Sequence, residues 1–168
     1  MPRFYPTLPR TALNNTILVF GTDLAGQHTR TAAGRLAVAA YGASIGKAKG
    51  LQRHAYAIAV SDANRLRLPM DAIADQIGQL LLLARSHEAL QFVIADLGTG
   101  RSGWYAAQEV APHFAKAPRN CLLPQEWRPT LRWIVDHRPA VTPAGQNSGS
   151  FWPAQAPRSQ TAEALRAR

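Results

Sequence analysis

Thr16-Ile17-Leu18-Val19-Phe20-Gly21-Thr22-Asp23-Leu24-Ala25-Gly26-Gln27-His28 decides the fold. Thr16 to Phe20 is a continuous run rich in β-branched side chains, which predicts a strand buried on both faces, as at the centre of a parallel sheet. Glycine then marks a tight loop. From Thr29 to Ala43 small apolar residues (Ala32, Ala33, Leu36, Ala37, Ala40) recur at helical spacing, and Gly42 or Gly46 can stop that helix. Strand, glycine loop and helix together form half of a βαβ unit.

The same unit recurs outward from this stretch. Lys47 to Gln52 reads as a flexible basic connection, and His54 to Val60 as a second strand. Ser61-Asp62-Ala63-Asn64 has turn composition. Pro69 stands where a helix begins, and Ile73, Ile77, Leu80, Leu81 and Ala84 give an apolar helical stripe. Gln91 to Asp96 is a third strand. It leads into a second glycine loop, Leu97-Gly98-Thr99-Gly100-Arg101-Ser102-Gly103-Trp104. A helix is expected over 104–116, with Val110, Ala111 and Phe114 facing inward and Pro112 implying a kink or an early break. Asn120 to Pro124 is a short fourth strand or extended segment, and Thr130 to Asp136 could add another. Alternating strands and helices imply a three-layer α/β/α sandwich with a mainly parallel sheet.

The domain is expected over residues 14–136, between a basic arm (1–13) and a proline-rich basic tail (137–168) that reads as disordered or loosely docked. Phe151 and Trp152 could anchor that tail on a partner. The formal charge is +9, yet the central segment holds 13 basic and 9 acidic residues, so more than half of the excess lies on the two ends. Basic ends attract polyanions without specificity, which indicates nucleic acid only weakly. No apolar run approaches a membrane span or a signal core, and the single Cys121 cannot form an internal disulfide. A cytoplasmic location is the expectation.

In an α/β sheet, loops at the carboxyl ends of strands bind ligands. Two glycine loops therefore suggest a phosphate-containing ligand between Gly21, Thr22, Asp23 and His28 on one side and Gly98, Thr99, Gly100, Arg101, Ser102, Gly103 and Trp104 on the other. Backbone N–H groups of the second loop would face phosphates, with Thr99 and Ser102 hydroxyls and Arg101 adding contacts. Trp104 could stack on a ring or pack its helix onto the sheet. Asp23 could meet a ligand or orient a water, or simply cap the turn. His28 could contact phosphate or lie in a solvated loop. Asp96 could meet a ribose hydroxyl or pair with an arginine. No Gly-Lys-Ser/Thr follows either loop, no zinc spacing exists, and no nucleophile elbow is present. Gly98-Thr-Gly-Arg-Ser-Gly103 matches the dinucleotide fingerprint only formally, since it follows the third strand. No metal and no cofactor is implied.

An ordered series runs along the chain: Phe20 to His28, Ala32-Ala33, Gly50-Leu-Gln52, Tyr56-Ala-Ile58, Leu68-Pro69, Leu97 to Trp104, Val110 to Phe114, and Ala117 to Trp127. Over about residues 16–127 it resembles a family of small phage and bacterial proteins described as phage non-structural proteins or phage antitoxins. That family in turn resembles a divergent macro domain. The second resemblance implies a binder of ADP-ribose or a related adenine nucleotide, with phosphates on Gly98–Gly103 and Trp104 at ribose or base. Asp23 stands where such proteins commonly carry Asn, and an anion that only accepts replaces a neutral donor–acceptor. Thr29-Arg30-Thr31 replaces a glycine-rich segment. Binding without turnover is therefore favoured over ADP-ribosyl hydrolysis, in which Asp23 would position water. The first resemblance implies the alternative: a phage or prophage antitoxin or accessory protein that acts by binding a protein partner.

Overall fold

The computed structural model describes residues 3–95, 97–99 and 104–137. The strand–loop–helix units appear in the order β1 (Arg3–Tyr5), β2 (Thr16–Asp23), α1 (Ala32–Tyr41), β3 (Gly50–Gln52), β4 (Ala55–Ser61), α2 (Met70–Ser86), β5 (Gln91–Ile94), α3 (Ala107–Val110), β6 (Cys121–Pro124) and α4 (Arg128–Asp136). Short 3-10 turns cover His28–Arg30, Ala111–Phe114 and Gln125–Trp127. The six strands form one sheet in the order β1-β6-β5-β2-β4-β3. Every pair is parallel except β3 with β4.

Alternate side chains of the central strands enter two cores, as period-two geometry requires. Ile17 and Val19 of β2, Tyr56, Ile58 and Val60 of β4, and Phe92 and Ile94 of β5 pack with α2, α3 and α4. Leu18 and Phe20, Ala55 and Ala57, and Val93 and Ala95 pack with α1. On that second face the alanines of β4 meet Ala33 and Ala37, so small residues on both surfaces let α1 lie close to the sheet. Helices on both faces of a mainly parallel sheet confirm the expected α/β class.

The chain leaves β2 toward β4 and leaves β5 toward β6, yet β2 and β5 are neighbours. Right-handed crossovers send the helices after these two strands to opposite faces, and a crevice opens between the strand ends. Both glycine loops begin at this switch point.

Four segments differ from the sequence reading. Thr130 to Asp136 lies in a helix, α4, which has proline in its first turn. A strand would bury Leu131, Trp133 and Val135 together, but only Leu131 is buried, and Ile134, one helical step on, packs beside it. The helix expected over 104–116 is one α-turn, Ala107–Val110, followed by a 3-10 turn whose first residues include Pro112, which lacks the N–H needed to continue. Arg3–Tyr5, within the basic arm, pairs with β6, and Gly50–Gln52, within the flexible connection, pairs with β4. The 137–168 tail, apart from His137, lies outside the described residues.

Candidate functional site

Gly21 near the end of β2 and Gly98 beyond β5 line one cavity of about 440 Å³, a size typical of ligand pockets. Arg30, Thr31, Ala32 and Ala33 form the wall at the start of α1. Val60 and Arg65 come from β4 and the turn after it, Trp104 from the second loop, and Leu8 from the segment between β1 and β2. The first-turn N–H groups of a helix have no intrahelical acceptor and carry partial positive charge. Ala32 and Ala33 place that end of α1 at the cavity. Among the described lining residues there are two arginines and no carboxylate. The described lining thus combines two cations and a helix start with the apolar side chains of Leu8, Ala33, Val60 and Trp104.

Asp23 shapes the first loop from beneath. Its backbone carbonyl accepts the Gly26 N–H at 2.9 Å, and its Oδ1 accepts the Gln27 N–H at 2.9 Å. Its Oδ2 lies 3.0 Å from Arg30 Nη1. No N–H is aimed along a lone pair of Oδ2, so this oxygen has charge contact without a hydrogen bond. Asp23 is therefore the turn-closing aspartate that its type allows, and also one half of an ion pair. It is not itself part of the cavity lining.

His28 is buried and braced on both sides. Its Nε2 lies 2.9 Å from the Ser44 carbonyl, and its Nδ1 lies 2.8 Å from Thr22 Oγ1. A carbonyl can only accept, so Nε2 donates, and in the neutral ring Nδ1 accepts the Thr22 hydroxyl proton. The ring stands edge-on to Phe20, with centroids 4.9 Å apart. Thr22 and His28 thus support the loop from inside, away from the cavity lining. Gly34 allows α1 to start here, because a Cβ on it would overlap the His28 carbonyl oxygen. Thr31 caps the helix by accepting the Gly34 N–H at 3.0 Å.

The second loop is tied at its base. Gly98 has a φ of 86°, and its carbonyl accepts the N–H of both Trp104 (3.1 Å) and Tyr105 (3.0 Å). Thr99 Oγ1 accepts the Trp127 indole N–H at 3.2 Å. Arg67 anchors the other side: it donates to the Trp104 carbonyl at 3.2 Å and to Glu109 Oε1 at 2.9 Å, and it lies 4.7 Å from the centre of the Tyr105 ring. Glu109 Oε2 accepts the Ala106 N–H at 2.8 Å. That hydrogen bond, followed by Arg67, holds the Glu109 carboxyl below its ordinary range. Burial pushes the Tyr105 hydroxyl up, and its proton points at the Val60 and Leu68 carbonyls. Asp96, Gly100, Arg101, Ser102 and Gly103 lie outside the described residues.

Of the residues singled out in the sequence, the structure brings Gly21, Gly98 and Trp104 to one cavity. Thr22, Asp23, His28 and Thr99 lie in its support. Leu8, Arg30, Val60 and Arg65 were not foreseen. Arg30 carries a signal in retrospect, since a short loop after β2 and the Thr31 cap leave it no place but the mouth of the crevice. Among the described residues no three His, Cys, Asp or Glu side chains gather to hold a metal. No helix among them is long and apolar enough to cross a membrane. No family model, no curated protein and no solved structure matches the chain.

Proposed function

We propose that this cavity binds ADP-ribose or a related adenine nucleotide, and that the chain acts by binding rather than by turnover. The observation that carries this reading is the crevice between β2 and β5, whose described lining holds a glycine from each loop, a helix start and two arginines, and no carboxylate. That combination suits a ligand with adjacent negative charges and an apolar ring. Trp104 offers the ring a face, and Gly98 brings the start of the second loop to the cavity wall, where phosphates would sit. The described lining holds no paired acid and base, and its one hydroxyl group, on Thr31, is engaged in capping. This favours binding over hydrolysis. The macro-domain resemblance, with one loop after an early strand and a glycine-rich loop after a late one, supports the same reading.

The test is thermal shift and calorimetry against ADP-ribose, NAD, cyclic nucleotides and AMP, with Ala32→Glu as control. Ala32 is exposed at the start of α1, where a carboxylate favours the helix dipole and leaves the fold intact. The same carboxylate repels an anion in the cavity. Binding of at least one of these nucleotides, weakened about tenfold or more in the variant, is expected. No binding to any of them would leave the antitoxin or accessory reading, in which a protein partner is the ligand.

A further inference from the structure

We propose that Arg30 is the side chain that recognises ligand charge in this cavity, and that Asp23 is the positioning residue that holds it there. The inference rests on the anion-binding reading of the site and assigns its parts. Asp23 is 5 % exposed and fixed through Oδ1 by the Gln27 N–H, so the carboxylate cannot follow a moving partner. The arginine conforms to the aspartate. Arg30 lies on the 3-10 turn between the loop and α1, its side chain is 47 % exposed, and it lines the cavity. Its guanidinium N–H groups make no hydrogen bond among the described residues. A guanidinium held near a fixed carboxylate by charge contact presents its donors to a ligand with less freedom left to lose.

A half-exposed ion pair adds little stability, so orientation is the larger effect. The imperfect contact fits this role. Asp23 Oδ2 is buried, lies 3.0 Å from Nη1 and lacks an aligned N–H. It can accept one when a ligand fixes the far edge of the guanidinium. Asp23 then acts on the ligand only through Arg30.

The experiment is a double-mutant cycle read by calorimetry with two probes, ADP-ribose and inorganic pyrophosphate, on the full chain. Thermal melts establish that each variant is folded. Arg30→Ala is expected to weaken binding of a probe that binds by about tenfold. Asp23→Asn keeps an acceptor for Gln27 and leaves the arginine charge in place, yet is expected to weaken binding about threefold to tenfold. In the Arg30→Ala background, Asp23→Asn should cost nothing further. An equal loss in both backgrounds would show Asp23 acting independently and overturn the proposal. So would tighter binding by Asp23→Asn, which would make the carboxylate a competitor. A wild-type protein that binds pyrophosphate but not ADP-ribose would refute ADP-ribose as the ligand while the pyrophosphate cycle still decides Arg30. Binding of neither probe would refute both.

Discussion

Arg65 holds a backbone conformation that its side chain disfavours. Its φ is 68°, in the left-handed region, at the rim of the cavity. Asp62 enforces the turn: its Oδ1 accepts the Leu66 N–H at 2.7 Å, its N–H reaches the Leu66 carbonyl at 2.8 Å, and its carbonyl accepts the Arg65 N–H at 3.1 Å. Strain kept at a cavity-lining position suggests that the cation matters more there than stability. Arg65→Gly should therefore raise stability by about 0.5–1 kcal/mol while weakening ADP-ribose binding. Melts and titrations of one variant read both, and a stabilised variant with unchanged affinity would place Arg65 outside recognition. At this scale the sequence showed part of the site. Glycines and a tryptophan after apolar runs announce themselves by type. Arginines do not: Arg30 and Arg65 resemble any solvated loop cation until the fold turns them toward one another's cavity.

Arg67 joins two elements that are distant in the chain, the turn after β4 and the start of α3. Its ties to Trp104 and Glu109 fix the exit of the second loop. A carboxyl whose pKa is lowered on folding stabilises the fold above its unfolded pKa, and that contribution fades as pH falls through the folded value. Glu109 is such a carboxyl. Glu109→Gln should melt below wild type at neutral pH, with the gap closing as pH is taken down below the ordinary glutamate range. A gap independent of pH would remove the Glu109 charge from the clamp. The larger elements were legible because many residues repeat one pattern. β2, β4, β5 and α2 each supply enough positions for the period to show. β1 and β3 have three residues each, too few for alternation. The Arg53-His54 turn between β3 and β4 also lacks the Asn-Gly signal of a hairpin, although Arg53 has a φ of 52°. α4 was misread because Trp133, Ile134 and Val135 favour strands intrinsically, while Leu131 and Ile134 pack at helical spacing.

The whole sheet protects Cys121, which is fully buried on β6. Burial pushes its thiol up to about 12. The thiolate is the reactive form, so a thiol-specific aromatic disulfide should leave the native protein untouched near pH 8 and react fully in denaturant. The native rate should be below about 1 % of the unfolded rate, and it reports opening of the β5–β6 region. Native labelling as fast as a free thiol would contradict the burial of β6. The adjacency of β2 and β5 bears also on when the molecule becomes competent. Gly21 is synthesised early and Gly98 late, and everything that builds α1, β4 and α2 lies between them. Long-range parallel pairing is slow because a large loop must close before any contact compensates for it. A nascent chain that has released only α1 holds one wall of the crevice and no crevice. The crevice is therefore completed in a single step that must await Gly98, when β5 docks against a strand made long before it.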